Sequence, residues 1–140
     1  MNYPPLSIID SGVLLAYYSA NDQYHQQVSQ FLESCTSRLV TTHSCVTEVM
    51  WLLSSSWQTQ NEFLLDVSKE LYECIPLLPQ DFIRIAELNA QYADLPGDFA
   101  DLSLVAISER LNISAIATLD SDFYIYRRYR NQPFDRIFKP

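Results

Sequence analysis

Asp10 follows the short β-prone run Leu6–Ile9, a place where a carboxylate costs free energy unless it leaves the core or finds a partner. Asp120 repeats the pattern after the apolar run Ile113–Thr118, with Ser121-Asp122-Phe123 behind it. Each alone reads as an N-cap for the segment that follows. Two strand-end carboxylates in one small chain point instead to a shared site. Asp98 and Asp101 stand at a helix start, where Asp98 suits the N-cap and Asp101 the first turn. With Asp98 capping, Asp101 is left to project toward the strand ends. Glu48 lies among Val46, Val49 and Met50 in an otherwise apolar helical stretch, where an isolated Glu ordinarily faces solvent.

Brought together, Asp10, Glu48, Asp101 and Asp120 define a chemistry. Clustered carboxylates cannot all stay ionised without a counter-cation, because like charges at short range raise one another's pKa. Hard oxygen donors without His or Cys select Mg²⁺ or Mn²⁺. One or two such ions orient a water, lower its pKa and stabilise charge on an in-line phosphoryl transition state. They also let an acidic site accept a phosphodiester. Other schemes lack their residues. There is no Gly-rich phosphate loop, and two glycines cannot build one. There is no G-x-S-x-G elbow, and His25 and His43 have no triad context. A haloacid-dehalogenase-like phosphatase needs a second Asp where Gly12 stands.

The elements that must position these groups alternate. Leu6–Asp10 reads as a strand, and an apolar helix follows from Val13 to Tyr18. A second helix, capped by Asn21 or Asp22, runs to about Cys35, and Arg38–Thr42 is a strand. Helices are expected from about Ser44 to Ser54 and from Gln58 to Glu73, then a short strand over Cys74–Leu78 closed by Pro79. A helix over Gln80–Tyr92, a break at Pro96-Gly97, a helix from Asp98 to Leu111 and the strand Ile113–Thr118 complete the pattern. The alternation predicts an α/β domain with a central, mostly parallel sheet flanked by helices on both faces. Ligands in such sheets bind outside the carboxyl ends of the strands, which is where Asp10 and Asp120 fall.

At 140 residues, 48% hydrophobic and 19% charged, the chain reads as one globular domain spanning 1–140. No apolar run approaches the roughly 20 residues of a membrane span, and the N-terminus lacks the pattern of a signal peptide. Cys35, Cys45 and Cys74 are an odd, widely spaced set, expected as reduced, mostly buried thiols in a cytoplasmic protein. The net charge of −8 runs against nucleic-acid binding, yet it is unevenly placed. Residues 1–126 hold sixteen acidic groups against four basic ones, while 127–140 hold five basic groups against Asp135 alone. That segment reads either as a phosphate-guiding tail or as the counterpart of an acidic face meant for a cation or basic partner; a merely solvated acidic surface is the plain alternative.

Ile8-Ile9-Asp10-Ser11-Gly12, Thr47-Glu48, Asp98-Phe99-Ala100-Asp101-Leu102-Ser103-Leu104-Val105-Ala106 and Thr118-Leu119-Asp120-Ser121-Asp122-Phe123 resemble, in order, the motifs of PIN-domain proteins. The VapC-type toxins of bacterial toxin–antitoxin pairs are especially similar. The resemblance covers nearly the whole chain. It implies a parallel sheet sandwiched by helices and Mg²⁺- or Mn²⁺-dependent endoribonuclease activity. It makes Asp10 and Asp101 the principal metal ligands, with Glu48 and Asp120 completing the pocket. It places Ser11 and Thr118 as hydrogen-bond partners of the ligands, and Asp98 and Asp122 as auxiliary acids or simply cap and turn residues. It further implies a homodimer and a small antitoxin that inserts into the acidic groove. Arg127, Arg128 and Arg130, interleaved with Tyr126 and Tyr129, are candidates to guide RNA phosphates and stack bases, or else form a dimer or partner contact. A PIN-like module that holds RNA or protein without cutting is the main alternative, and a phosphohydrolase acting on small phosphate esters is a third.

Overall fold

The computed structural model describes residues 2–95 and 97–140; Met1, and the Pro96 of the expected Pro96-Gly97 break, lie outside the described residues. Five strands form one sheet: β1 (Leu6–Ile9), β2 (Arg38–Thr42), β3 (Tyr72–Ile75), β4 (Ala115–Ala117) and β5 (Asp135–Phe138). Their order is β3-β2-β1-β4-β5, and every pairing is parallel. The connections are α1 (Ser11–Tyr18) and α2 (His25–Ser34), α3 (His43–Leu52) and α4 (Trp57–Ser68), then α5 (Pro79–Gln91) and α6 (Phe99–Arg110).

Successive strand residues point to opposite faces, so a strand covered on both sides needs apolar residues at both parities. β1 meets this with Ile8 and Ile9, both fully buried, and β4 with Ile116 and Ala117. Ile8 and Ile116 join one core with Ile85, Leu88 and the apolar length of α6. Ile9 and Ala117 join the other with Val13, Val28, Val49 and Phe63 from α1 to α4. The strand order reverses between β1 and β4, and there the loops leaving adjacent strands diverge to opposite sides and open a crevice.

Several boundaries differ from the sequence expectation. Helix α2 begins at His25 because the Asp22 carboxylate turns back onto the Tyr24 amide at 2.8 Å instead of capping. Helix α4 ends at Ser68, five residues early: Glu70 takes a left-handed φ of 60°, and the Leu71 amide returns to the Asp66 carbonyl. Strand β3 is accordingly Tyr72–Ile75 and not Cys74–Leu78, since Pro76 has no N–H to give the ladder. The basic segment 127–140 is not a free tail, for Asp135–Phe138 adds β5 to the sheet beside β4. Cys35, Cys45 and Cys74 are free thiols, with Cys45 buried. Among the described residues no helix is long and apolar enough to cross a membrane.

Candidate active site

The Asp10 amide extends the ladder past β1, donating to the Ala117 carbonyl at 3.2 Å, so its side chain leaves from the end of the central strand. That carboxylate is 3% exposed. Oδ1 accepts the Val13 amide at 3.1 Å and caps α1; Oδ2 accepts the Thr118 hydroxyl. The capping and site readings therefore hold together, one oxygen for each. Burial lifts the Asp10 carboxyl to about 6; the Thr118 and Val13 bonds oppose the rise, and the charges of Asp120 and Glu48 add to it.

Thr118 stands just past β4, and its hydroxyl oxygen also accepts the Asp120 amide at 2.9 Å. Asp120 in turn caps a 3₁₀ turn, Ser121–Tyr124, by accepting the Asp122 amide at 2.9 Å. Asp122 thus contributes its backbone to this edge by holding Asp120.

Glu48 reaches the same edge from α3. Thr42, the last residue of β2, caps that helix and bonds the Ser103 hydroxyl at 2.8 Å, tying β2, α3 and α6 together where β2 ends. Ser11 donates to Glu48 Oε1, so the first residue of α1 orients a carboxylate from another helix. Burial raises the Glu48 carboxyl, and the charges of Asp98 and Asp120 raise it further. Asp98 caps α6 as its position predicts, accepting the Asp101 amide at 2.8 Å. Asp101 itself accepts no hydrogen bond among the described residues. Its carboxyl is pushed up to about 8, first by desolvation and then by Asp98, Asp120, Asp10 and Glu48.

Mutual repulsion among these carboxylates places Asp10, Glu48, Asp101 and Asp120, with Asp98, within one electrostatic neighbourhood. Among the described residues, no three His, Cys, Asp or Glu side chains close into a ready metal cage. A surface cavity of about 510 Å³ beside Tyr3, Arg136 and Lys139 includes none of these four carboxylates. The donor chemistry nevertheless fits a hard divalent cation, because every group is a carboxylate oxygen and Asp10 and Asp101 both lack compensating positive charge.

The arginines singled out from sequence are engaged differently. Arg127 Nη1 donates to the Tyr124, Ile125 and Tyr126 carbonyls. Arg128 donates to the Ser108 hydroxyl and carbonyl. Arg130 is exposed at a left-handed φ of 58°. Arg136, counted only as part of the basic segment 127–140, was not singled out because β5 was not recognised. The register Ile116↔Arg136 sets it beside β4, and its Nη2 donates to the Thr118 carbonyl at 3.0 Å.

An all-parallel sheet with helices on both faces and acids gathered where the strand order reverses defines a doubly wound α/β protein with its site at the switch point. The chain belongs to the PIN-domain family, whose model matches residues 7–129. Ribonuclease VapC26 of Mycobacterium tuberculosis is 27% identical over 115 residues, covering 81% of this chain and 85% of that protein. Two solved structures share the fold. The crystal structure of VapC20 from Mycobacterium tuberculosis, described as a sarcin-ricin-loop-cleaving toxin, superposes with a TM-score of 0.77 at 15% identity, covering 91% of this chain and 99% of that one. VapBC2 from Rickettsia felis, bound to a promoter DNA fragment, gives 0.66 at 13% identity, covering 94% and 98%.

Proposed function

We propose that this protein is a divalent-metal-dependent endoribonuclease, the toxin of a toxin–antitoxin pair, using Mg²⁺ or Mn²⁺ to hydrolyse RNA phosphodiester bonds. The observation that carries this reading is the convergence of Asp10, Glu48, Asp101 and Asp120 on one strand edge, with Asp10 and Asp101 driven toward protonation by burial and mutual repulsion. Carboxylates in that condition are relieved by a divalent cation. The kinship with a ribonuclease supplies the substrate class.

When bound, the ion supplies Lewis-acid charge that lowers the pKa of a water and neutralises the phosphodiester. Asp10, fixed by two hydrogen bonds, and Asp101, whose carboxylate accepts none among the described residues, would hold it. Glu48 and Asp120 would complete the pocket, orient the attacking water and take its proton. Ser11 and Thr118 fix the direction of Glu48 and Asp10, as partners of metal ligands do. Asp98 and Asp122 serve the site through the backbone contacts already described. In this reading the protein works in the cytoplasm as a homodimer and is silenced by a small antitoxin; kinship with a VapC ribonuclease and the fold shared with a VapBC complex support the antitoxin.

The test is cleavage of total cellular RNA by purified protein with Mg²⁺, with Mn²⁺ and with neither, beside Asp101→Asn. Metal-dependent cleavage that disappears in the variant is expected. Folded, inhibitor-free protein that cuts nothing with either metal would remove the catalytic reading and leave a binding module.

A further inference from the structure

Arg136 reaches the rim of the acidic edge at Thr118. Among the described residues the ion pairs are Arg38–Glu73, Arg84–Glu87, Arg84–Glu109 and Arg110–Asp81, and Arg136 enters none of them. Among the described residues its one side-chain hydrogen bond is from Nη2 to the Thr118 carbonyl, on the residue whose hydroxyl holds Asp10 and receives the Asp120 amide. Its guanidinium lies against the Tyr124 ring, 4.3 Å from the centroid, and that tyrosine is 56% exposed. Nε is buried without an acceptor.

A tether for the Thr118 carbonyl needs one donor and no charge. Arg136 instead keeps a planar guanidinium held flat by an aromatic face, with Nη1 free of any hydrogen bond among the described residues. The Nη edge of a guanidinium is matched in shape and charge by a phosphate's oxygens. In a chain of net charge −8, a positive group is most valuable where the polyanion must come closest to the carboxylates.

We propose that Arg136, presented by Tyr124, is the phosphate contact of this site and grips a backbone phosphate of the RNA strand at the Thr118–Asp120 rim. The inference rests on the RNA-cleaving reading above. It shifts the phosphate-binding role from Arg127, whose Nη1 donates to three main-chain carbonyls, and from Arg128, whose Nε and Nη2 donate to Ser108.

The experiment is fluorescence anisotropy with a short, labelled, mixed-sequence single-stranded RNA, in Mg²⁺, over about 50–200 mM KCl. All proteins carry Asp101→Asn to prevent cleavage. Arg136→Gln is expected to weaken binding about tenfold and to flatten the slope of log K against log salt by about 0.7, the value for one lost single-strand phosphate contact. Arg38→Gln, the same change of charge at the opposite end of the sheet, is expected to leave both quantities at the parent's values. Arg136→Lys keeps the charge but not the fork, so it is expected to retain the slope and lose affinity a few-fold.

A parent that binds RNA while Arg136→Gln matches it, or while Arg38→Gln weakens it equally, overturns the Arg136 role alone. A parent that binds no RNA overturns the RNA reading and this role together. If Arg136→Gln does not fold, Arg136→Lys decides: weaker binding at an unchanged melting temperature supports the contact, and unchanged affinity overturns it.

Discussion

The Thr118 hydroxyl donates to the buried Asp10 carboxylate and accepts the Asp120 amide, so one oxygen joins the ends of two adjacent strands. Thr118→Val keeps the shape but strips a donor from Asp10 and an acceptor from Asp120. Unpaired buried polar groups cost about 1–3 kcal/mol each, so Thr118→Val is expected to lose about that much stability and to slow cleavage. Thr118→Ser should keep most of both. Denaturant midpoints and turnover numbers check this; a Val variant that melts and cuts like wild type would show that the hydroxyl bridge is incidental.

The two acids at the start of α6 are expected to behave differently. The Asp101 carboxylate accepts no hydrogen bond among the described residues, whereas the Asp98 carboxylate caps the helix. Asp101→Asn should therefore cut kcat by more than about 100-fold, beyond the 10–100-fold that losing a supporting partner brings, without unfolding the protein. Asp98→Asn preserves the cap, because Asn caps as well as Asp, and should be much milder. Equal losses in the two variants, with melting temperatures unchanged, would reverse the roles.

Stability should fall as pH rises. Asp10 and Asp101 titrate in the fold at about 6 and about 8, above the roughly 3.9 of an unfolded Asp. The folded chain then binds more protons than the unfolded chain between those values, so the unfolding free energy decreases with pH. The stabilisation is fully present below about pH 4 and is lost through about 6 and then about 8. In EDTA, melts should weaken between about pH 5 and 9 by about 1–2 kcal/mol, the open edge screening much of the repulsion. Asp101→Asn should flatten that decline, and Mn²⁺ should restore stability at the alkaline end by mass action. Stability rising with pH in EDTA would mean the carboxylates are already compensated.

Asp10 and Asp120 were legible because a carboxylate closing an apolar run leaves few options, and Asp98 was legible as a cap because its spacing to the helix start fixes that role. Glu48 was harder to see: its role depends on Ser11, 37 residues away, and no local pattern carries that contact. Strand β5 was hidden for a different reason. Its four residues include Asp135 and Arg136, its burial is partial, and it exists only because β4 offers it an edge. The sequence shows Arg136 as one basic residue among five; only the parallel register places it at Thr118. Strand β3 was misplaced by weighing apolarity over Pro76, whose missing N–H ends the ladder.

Gly97 lies under the Tyr126 ring, where a Cβ would come within 2.3 Å of the phenolic oxygen and 3.2 Å of Cζ. Tyr126 is fully buried, packed edge-on against Tyr92 and Phe123, so it cannot swing aside. Gly97→Ala should therefore cost about 1–3 kcal/mol as overpacking and displace the neighbouring Asp98 cap, lowering cleavage as well. The Tyr126 hydroxyl has no hydrogen-bond partner among the described residues, so Tyr126→Phe alone should be neutral or stabilising. Removing that oxygen leaves Cζ as the closest atom, a tight but tolerable contact. The double variant should then recover much of the loss, a coupling that a four-way comparison of melting free energies measures directly. Strictly additive effects would show that Gly97 is needed for its backbone and not for the space beneath Tyr126.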